Sequence, residues 1–346
     1  MDVEQLPGSD AWVYLSTTGA GAGAQDILWS VPGASSFLAG ASFPYSQHEL
    51  EKFLGYLPAQ SVCEATAVDM AIAAFMRAAK SCPEGRVPVG VGCSAAVATT
   101  RPLRGGHRAW IAVISGHGRV MLHRHLLPDH VLSFRRNDGT VVDEEIVHQL
   151  LCAVGKTGQW RTEEIVKPHV LARPWFRADG RREAMPTGNI ELLPGAFNPV
   201  HPGHLEISTR DTIFQLSLKT PHKPEVSIVE ALRRVAAINA VGRDALIETE
   251  ASTFLVKARK WPGSTFIIGS DTLERMLDPK YGHEIEPMLK EMGQLRTRFK
   301  VSQRDGTANA KQLIEECPVP LWHYGPTFYL LPPGHHAGMS STQLRK

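Results

Sequence analysis

Two histidines three positions apart carry the clearest chemistry in this chain. They close the run Gly195-Ala196-Phe197-Asn198-Pro199-Val200-His201-Pro202-Gly203-His204. Residues 190–193 just before it are apolar enough to read as a buried strand. The expected local structure is therefore a strand, a glycine turn, and a helix beginning near Gly203-His204. In an open α/β sheet, ligands bind beyond the carboxyl ends of the strands. Gly195 and Gly203 let the backbone approach a phosphate closely, and a helix start offers free N–H donors and the positive end of a dipole. His201 and His204 then face the charge that develops on a phosphate during transfer. Such chemistry draws most of its rate from positioning and charge stabilisation. Two imidazoles, a lysine and a metal ion suit it.

With this motif the chain resembles the nucleotidyltransferase superfamily that carries G-x-F-x-P-x-H-x-G-H, and especially the nicotinamide mononucleotide adenylyltransferases. The resemblance runs over roughly residues 190–346. The family's I-S-S-T-x-I-R signature is matched by Met339-Ser340-Ser341-Thr342-Gln343-Leu344-Arg345, one residue before the sequence stops. Ser340, Ser341, Thr342 and a bidentate Arg345 are thereby implied as triphosphate contacts. Thr220-Pro221-His222-Lys223-Pro224 resembles the P-H-K segment of the same family, which makes Lys223 a phosphate-contacting charge. Residues 264–273 match its strand followed by G-x-D, so Gly269 and Asp271 are implied at the adenosine.

The resemblance thus implies His201, His204 and Lys223 as catalytic groups. Gly195, Ala196, Phe197, Gly203, Gly269, Asp271, Ser340, Ser341, Thr342 and Arg345 are implied to bind the nucleotide. Mg²⁺ is the implied cofactor. ATP and a mononucleotide, nicotinamide or nicotinate, are the implied partners, yielding NAD and pyrophosphate. Trp261 and Tyr281 are aromatic candidates for stacking on the acceptor ring or for core packing. The tryptophan that the family places soon after the aspartate is absent, which leaves other phosphorylated acceptors open. A sensor that binds nucleotide without turnover is a further alternative.

The amino-terminal half carries a second resemblance. Val31-Pro32-Gly33-Ala34-Ser35-Ser36-Phe37-Leu38-Ala39-Gly40, continuing to Tyr45-Ser46-Gln47-His48, resembles the CinA carboxy-terminal domain. That family includes nicotinamide mononucleotide deamidases with an activated serine. Its nucleophile segment corresponds to Ser16-Thr17-Thr18-Gly19-Ala20, so Ser16, Thr18 and Tyr45 form a candidate amino-terminal site. A serine needs a neighbouring base. The family's lysine falls on Leu50 and its acid on Leu15, with His48 and Lys52 the substitutes in sequence. The expectation is a degenerate CinA-like domain kept for binding, regulation or homo-oligomer formation, with deamidation through Ser16 as the alternative.

These groups need elements to hold them. Helical periodicity is clear over residues 63–80 and 143–154. Strands are expected at 11–15, 87–91 and 110–115. Beyond residue 190 the reading alternates: strand 190–193, helix 204–216, helix 228–240, strand 266–268, helix 284–292. Alternation argues for a parallel sheet with helices on both faces. The expected fold class is α/β in two domains: a CinA-like domain over residues 1–172, a linker at 173–188 rich in Arg, Pro and Gly, and a Rossmann-like nucleotidyltransferase domain over 189–346.

The chain has 346 residues, enough for two cores, with 43% apolar and 21% charged residues. A net charge of +2 gives no dense basic face for nucleic acid. There is no apolar run of membrane-spanning length, and residues 1–7 lack a basic leader region. Five scattered cysteines without a C-x-x-C pair read as reduced thiols in a cytoplasmic protein. Gly19 to Ala24 lacks the end of a P-loop, and Gly90-x-Gly92 lacks a third glycine and a downstream acid. His123-Arg124-His125 and His335-His336 have no acidic or thiol neighbours in sequence, so they read as hydrogen-bonded or solvated histidines, and no protein metal site is expected.

Overall fold

The computed structural model describes residues 3–96, 107–116, 119–127, 135–156, 173–220, 224–251, 253–278, 284–317, 325–332 and 334. The chain is α/β and divides into two compact units, Met1–Ala172 with Ser227–Ala236, and Arg173–Val226 with Ala237–Lys346.

The first unit holds β1 (Ala11–Thr18), α1 (Ala24–Trp29), β2 (Leu38–Ser42), α2 (Gln47–Leu54), α3 (Glu64–Lys80), β3 (Val87–Ala96), β4 (Arg108–Ser115), β5 (Arg119–Leu126) and α4 (Arg135–Ala153). Its sheet runs β2-β1-β3-β4-β5. The first three strands are parallel, and β4 and β5 add antiparallel partners. Side chains alternate across the sheet. Val13, Leu15, Val89, Val91, Cys93, Ile111, Val113 and Met121 share one core with Leu28 of α1 and Ile146 and Leu150 of α4.

The other face of β3 meets α3 at backbone distance. A Cβ on Gly90 would lie 2.2 Å from the Phe75 nitrogen, and one on Gly92 would lie 2.3 Å from the Ala71 nitrogen. Gly90-x-Gly92 is thus a packing device that lets a helix lie on a strand. The outer side of α3 is covered by α2, through Leu50, Phe53 and Leu54 against Met70 and Ala73.

The second unit holds β6 (Trp175–Phe176), β7 (Arg182–Glu183), β8 (Glu191–Pro194), α5 (Pro202–Glu206) and β9 (Ile213–Ser217). Next along the chain is α6 (Ile228–Ala240), of which residues 237–240 fall in this unit. Then come β10 (Ala245–Glu248), α7 (Phe254–Lys260), β11 (Thr265–Gly269), α8 (Ser270–Leu277), α9 (Ile285–Gln294), β12 (Arg298–Ser302), α10 (Ala310–Glu315) and β13 (Thr327–Leu330). The sheet order is β13-β12-β11-β8-β9-β10-β6-β7. Strands β13 through β10 are all parallel, and β6 and β7 form an antiparallel hairpin on the β10 edge. After the β6–β7 hairpin, the parallel part begins at β8, steps outward through β9 and β10, then returns to β11 on the other side of β8. That reversal between β8 and β11 is the topological switch point of a doubly wound sheet.

Two expectations change here. Residues 204–216 are not one helix: α5 ends at Glu206, and β9 follows with all five residues buried. Thr209 donates its backbone N–H to Thr212 Oγ1 at 2.8 Å, which turns the chain between them. A parallel strand buried on both faces reads as a continuous apolar run, and that run imitates a helix face. Residues 173–188, read as a connection, supply β6 and β7 to the sheet edge.

At its amino end β8 is tied on both sides. Glu191 accepts a 2.5 Å hydrogen bond from Thr212 Oγ1 and pairs with Lys300 of β12. The register of the strand that leads into the histidine motif is thereby fixed.

Candidate active site

The motif leaves β8 as a compact loop. Phe197 takes a left-handed backbone conformation at φ 47° and is fully buried. Its ring packs 5.0 Å from Phe214 of β9 and, edge-on, 5.0 Å from His204. A bulky residue in that backbone region is strained, and only dense packing sustains it. The ring also lies over Gly195: a Cβ there would come within 2.7 Å of Phe197 Cζ. Gly195 therefore makes room for the aromatic that shapes the loop. Ala196 is exposed beside it, and Gly203 is half-buried in the first turn of α5.

His201 stands at the N-cap of α5 and His204 is its third residue, whose backbone N–H donates to the His201 carbonyl at 2.9 Å. The rings lie 3.7 Å apart between centroids. The His201 backbone N–H donates to His204 Nδ1 at 3.2 Å. An accepting Nδ1 fixes the tautomer by inference: the ring proton of neutral His204 sits on Nε2. With a helix of five residues, side chains carry more of any anion binding than the helix dipole does.

Across the switch point, β11 ends in Gly269 and α8 begins with Ser270. Ser270 Oγ accepts from the Arg304 backbone N–H at 3.0 Å and lies 2.6 Å from Thr307 Oγ1, which binds the loop after β12 to the start of α8. Asp271 is not a helix cap. It pairs with Arg275 at 2.7 Å and lies 3.6 Å from Arg304. A Cβ on Gly269 would meet Asp271 Oδ1 at 2.5 Å and Arg304 Nε at 2.9 Å. Sequence reasoning missed Ser270 and Arg304. The one available signal was an arginine just past the end of a strand.

Burial, then the charges of His201 and Arg304, push the His204 pKa down to about 3. His204 is therefore a neutral hydrogen-bond donor at neutral pH. Its folded pKa lies below its ordinary value of 6.5, so the folded state binds fewer protons in between. Stability is full above 6.5 and falls as the pH drops toward 3, by at most about 1.4 kcal/mol per pH unit. Urea midpoints measured from pH 7 to 5 should fall less steeply in His204→Gln than in the parent chain. Equal slopes would contradict the burial of a neutral imidazole here.

Lys223, Ser340, Ser341, Thr342 and Arg345 lie outside the described residues, as do Tyr281 and His335-His336. Trp261 is not a stacking surface. It is buried in the core with its Nε1 donating to the Pro186 carbonyl at 3.1 Å.

In the first unit, Ser16 is fully buried in β1, and its Oγ has no hydrogen-bond partner among the described residues. Thr18 Oγ1 donates to the Pro44 carbonyl at 3.0 Å. Tyr45 is exposed and stacked on Phe43. Leu50 is core, and Lys52 pairs with Glu49 in solvent. The arrangement brings Thr18 near the segment before Tyr45, but it gives Ser16 no base among the described residues. None of the five cysteines is in a disulfide.

No protein-family model matches the sequence. No curated protein matches it either. Similarity is found among solved structures, at low identity and over less than half of the chain. A competence/damage-inducible protein, CihA, from Agrobacterium tumefaciens aligns with TM-score 0.35 and 17% identity, over 44% of this chain and 96% of its own. A CinA superfamily protein from Escherichia coli gives 0.33 and 15%, over 43% and 83%. A competence or damage-inducible protein from Enterobacter asburiae gives 0.33 and 14%, over 44% and 98%. Among the described residues, no helix is long and apolar enough to cross a membrane.

Proposed function

We propose that the second unit transfers a nucleotidyl group, adenylyl from ATP to the phosphate of nicotinamide or nicotinate mononucleotide, with pyrophosphate released. One observation carries this reading. The ten-position histidine motif spans from the end of β8 to the first turn of α5, at the strand-order reversal where a doubly wound sheet binds its ligand.

In this reaction an oxygen of the acceptor phosphate attacks the α-phosphorus of ATP. The bond from that phosphorus to the bridging oxygen breaks, and pyrophosphate leaves with the electron pair. The nucleophile is already anionic, so no protein base is needed. His204 donates its Nε2 proton as a hydrogen bond to the charge that builds on the α-phosphate, and its fixed Nδ1 contact removes the cost of reorienting the ring. His201 stands against it, and Arg304 supplies a positive charge nearby. Lys223, Ser340, Ser341, Thr342 and Arg345 are assigned to the phosphates on their sequence match.

Mg²⁺ fits as the counter-ion of the triphosphate. Asp271 is already engaged by two arginines, and a phosphate-bound Mg²⁺ keeps its waters and needs few protein ligands. When bound it neutralises phosphate charge. The first unit is assigned a binding, regulatory or oligomerising part, because the buried Ser16 has no activating contact among the described residues.

The test is the purified chain with ATP, Mg²⁺ and each of a panel of phosphorylated acceptors, followed for dinucleotide, pyrophosphate and ammonia. NAD and pyrophosphate in equal amounts without ammonia are expected. Ammonia that disappears in Ser16→Ala would instead make the first unit a deamidase. Nucleotide binding without any product would make the protein a sensor.

A further inference from the structure

The first unit holds a group of side chains that neither the transfer chemistry nor the Ser16 segment uses. His123 and His125 lie two apart on β5, so they share one face of the sheet. That face is covered by α4, which turns Glu145 toward them. His123 Nε2 is 3.3 Å from Glu145 Oε1, and His125 Nδ1 is 3.8 Å from Glu145 Oε2. One ligand atom from each of the three residues can be chosen so that all lie within 4.8 Å of one another.

The setting is unusual for three hydrophilic groups. His123 and Glu145 are buried, and His125 opens partly to solvent from the edge strand of the sheet. On α4, Glu145 and Gln149 interrupt a stripe otherwise made of Val142, Ile146, Leu150 and Ala153, which packs into the core. Gln149 is itself buried and donates to Glu145 Oε1 at 2.7 Å, which orients the carboxylate. A carboxylate taken out of water needs a full complement of partners. Two imidazoles, a carboxylate and an orienting amide behind it form the usual pattern of a transition-metal site.

We propose that His123, His125 and Glu145 bind a divalent transition metal of the zinc type, with water in the remaining position toward the sheet edge. Tetrahedral ligands at about 2.1 Å from zinc stand about 3.4 Å apart. The His123–Glu145 separation already matches that edge, and the remaining ligand atoms close by at most a little over an ångström. Three protein ligands leave one coordination position open, and the half-exposed His125 marks the side from which it is reached. The chain segment alone gave no sign of this, because the acid stands twenty residues beyond the second histidine and on another element.

The test uses the full chain, stripped with a chelator and then titrated with Zn²⁺ against a chromophoric competitor, with Co²⁺ as an optical probe. The parent chain should hold one more equivalent of Zn²⁺ than either Glu145→Gln or His125→Gln. The visible Co²⁺ band of a four-coordinate nitrogen and oxygen site should be lost in both. His204→Gln, in the other unit, should keep both signals. Zn²⁺ should also raise the melting temperature of the parent by on the order of 5 °C and leave His125→Gln unmoved. Far-UV circular dichroism reports whether each variant is folded. His125 is the least buried of the three, so its conservative variant decides the matter if Glu145→Gln unfolds. A parent chain that takes up no more Zn²⁺ than folded His125→Gln would overturn the proposal, and the three residues would then be an imidazole–carboxylate pairing only.

Discussion

His204→Gln should lower turnover of ATP and mononucleotide by about 10²–10³-fold while leaving the chain folded. The size follows from the loss of one hydrogen-bond donor aimed at charge that exists only in the transition state. His204 is held for that purpose: burial keeps it neutral, the His201 backbone N–H occupies Nδ1, and the Phe197 ring meets its edge. Glutamine carries a donor and an acceptor but lacks the ring held between Phe197 and His201, so its donor is no longer aimed at that charge. The loss should fall on kcat more than on KM, because ground-state binding of ATP draws on other groups. Unchanged kcat in a folded His204→Gln chain would remove this residue from the chemistry. A rise in KM alone would make it a binding residue.

A large effect on stability is expected at Gly92, the β3 residue that lies beside Ser16 of β1. Gly92→Val should cost more than about 4 kcal/mol and prevent the first unit from folding, since overpacking against immovable atoms exceeds the usual range for core changes. The atoms that a Cβ would strike are the Ala71 nitrogen at 2.3 Å and the Ala67 carbonyl oxygen at 2.4 Å. Both belong to the backbone of α3, which cannot step aside, because its outer face is held by Leu50, Phe53 and Leu54. Gly85, by contrast, has nothing within 4 Å of a Cβ, but its φ of 75° disfavours any side chain. Gly85→Ala should therefore cost only about 1 kcal/mol. Urea unfolding read by circular dichroism separates the two. Equal midpoints for the Gly92 and Gly85 variants would show that α3 can shift.

Much of the scaffold could be read before the structure, and the failures share a cause. Residues 228–240 and 63–80 carry long helical periodicity and appear as α6 and α3, each within a residue of the expected bounds. Short elements were harder. Ile213, Phe214 and Leu216 are buried on both faces of β9, and an apolar run of that length fits a helix face or a strand equally well; the β-branched and aromatic residues were the cue to prefer the strand. β6 and β7 are two residues each, too short to show a period at all.

The site shows the same division. His201 and His204 are legible because a local motif positions them. Arg304 is not, because it reaches the site only once β12 is laid two strands from β8 and Ser270 holds its backbone. Gly195 was legible as a glycine the loop requires, but its close contact with the Phe197 ring was not, since the sequence shows no sign that the ring folds back over it.

The central claim is that the second unit moves a nucleotidyl group, and label tracking tests it most directly. The chain is incubated with Mg²⁺, nicotinamide mononucleotide and ATP labelled either at the α-phosphate or at the γ-phosphate. The α-label should pass into NAD and the γ-label into pyrophosphate, in equal amounts. Label from the γ-phosphate appearing as inorganic phosphate, with the α-label left on ADP, would contradict the account, as would α-label recovered only as AMP.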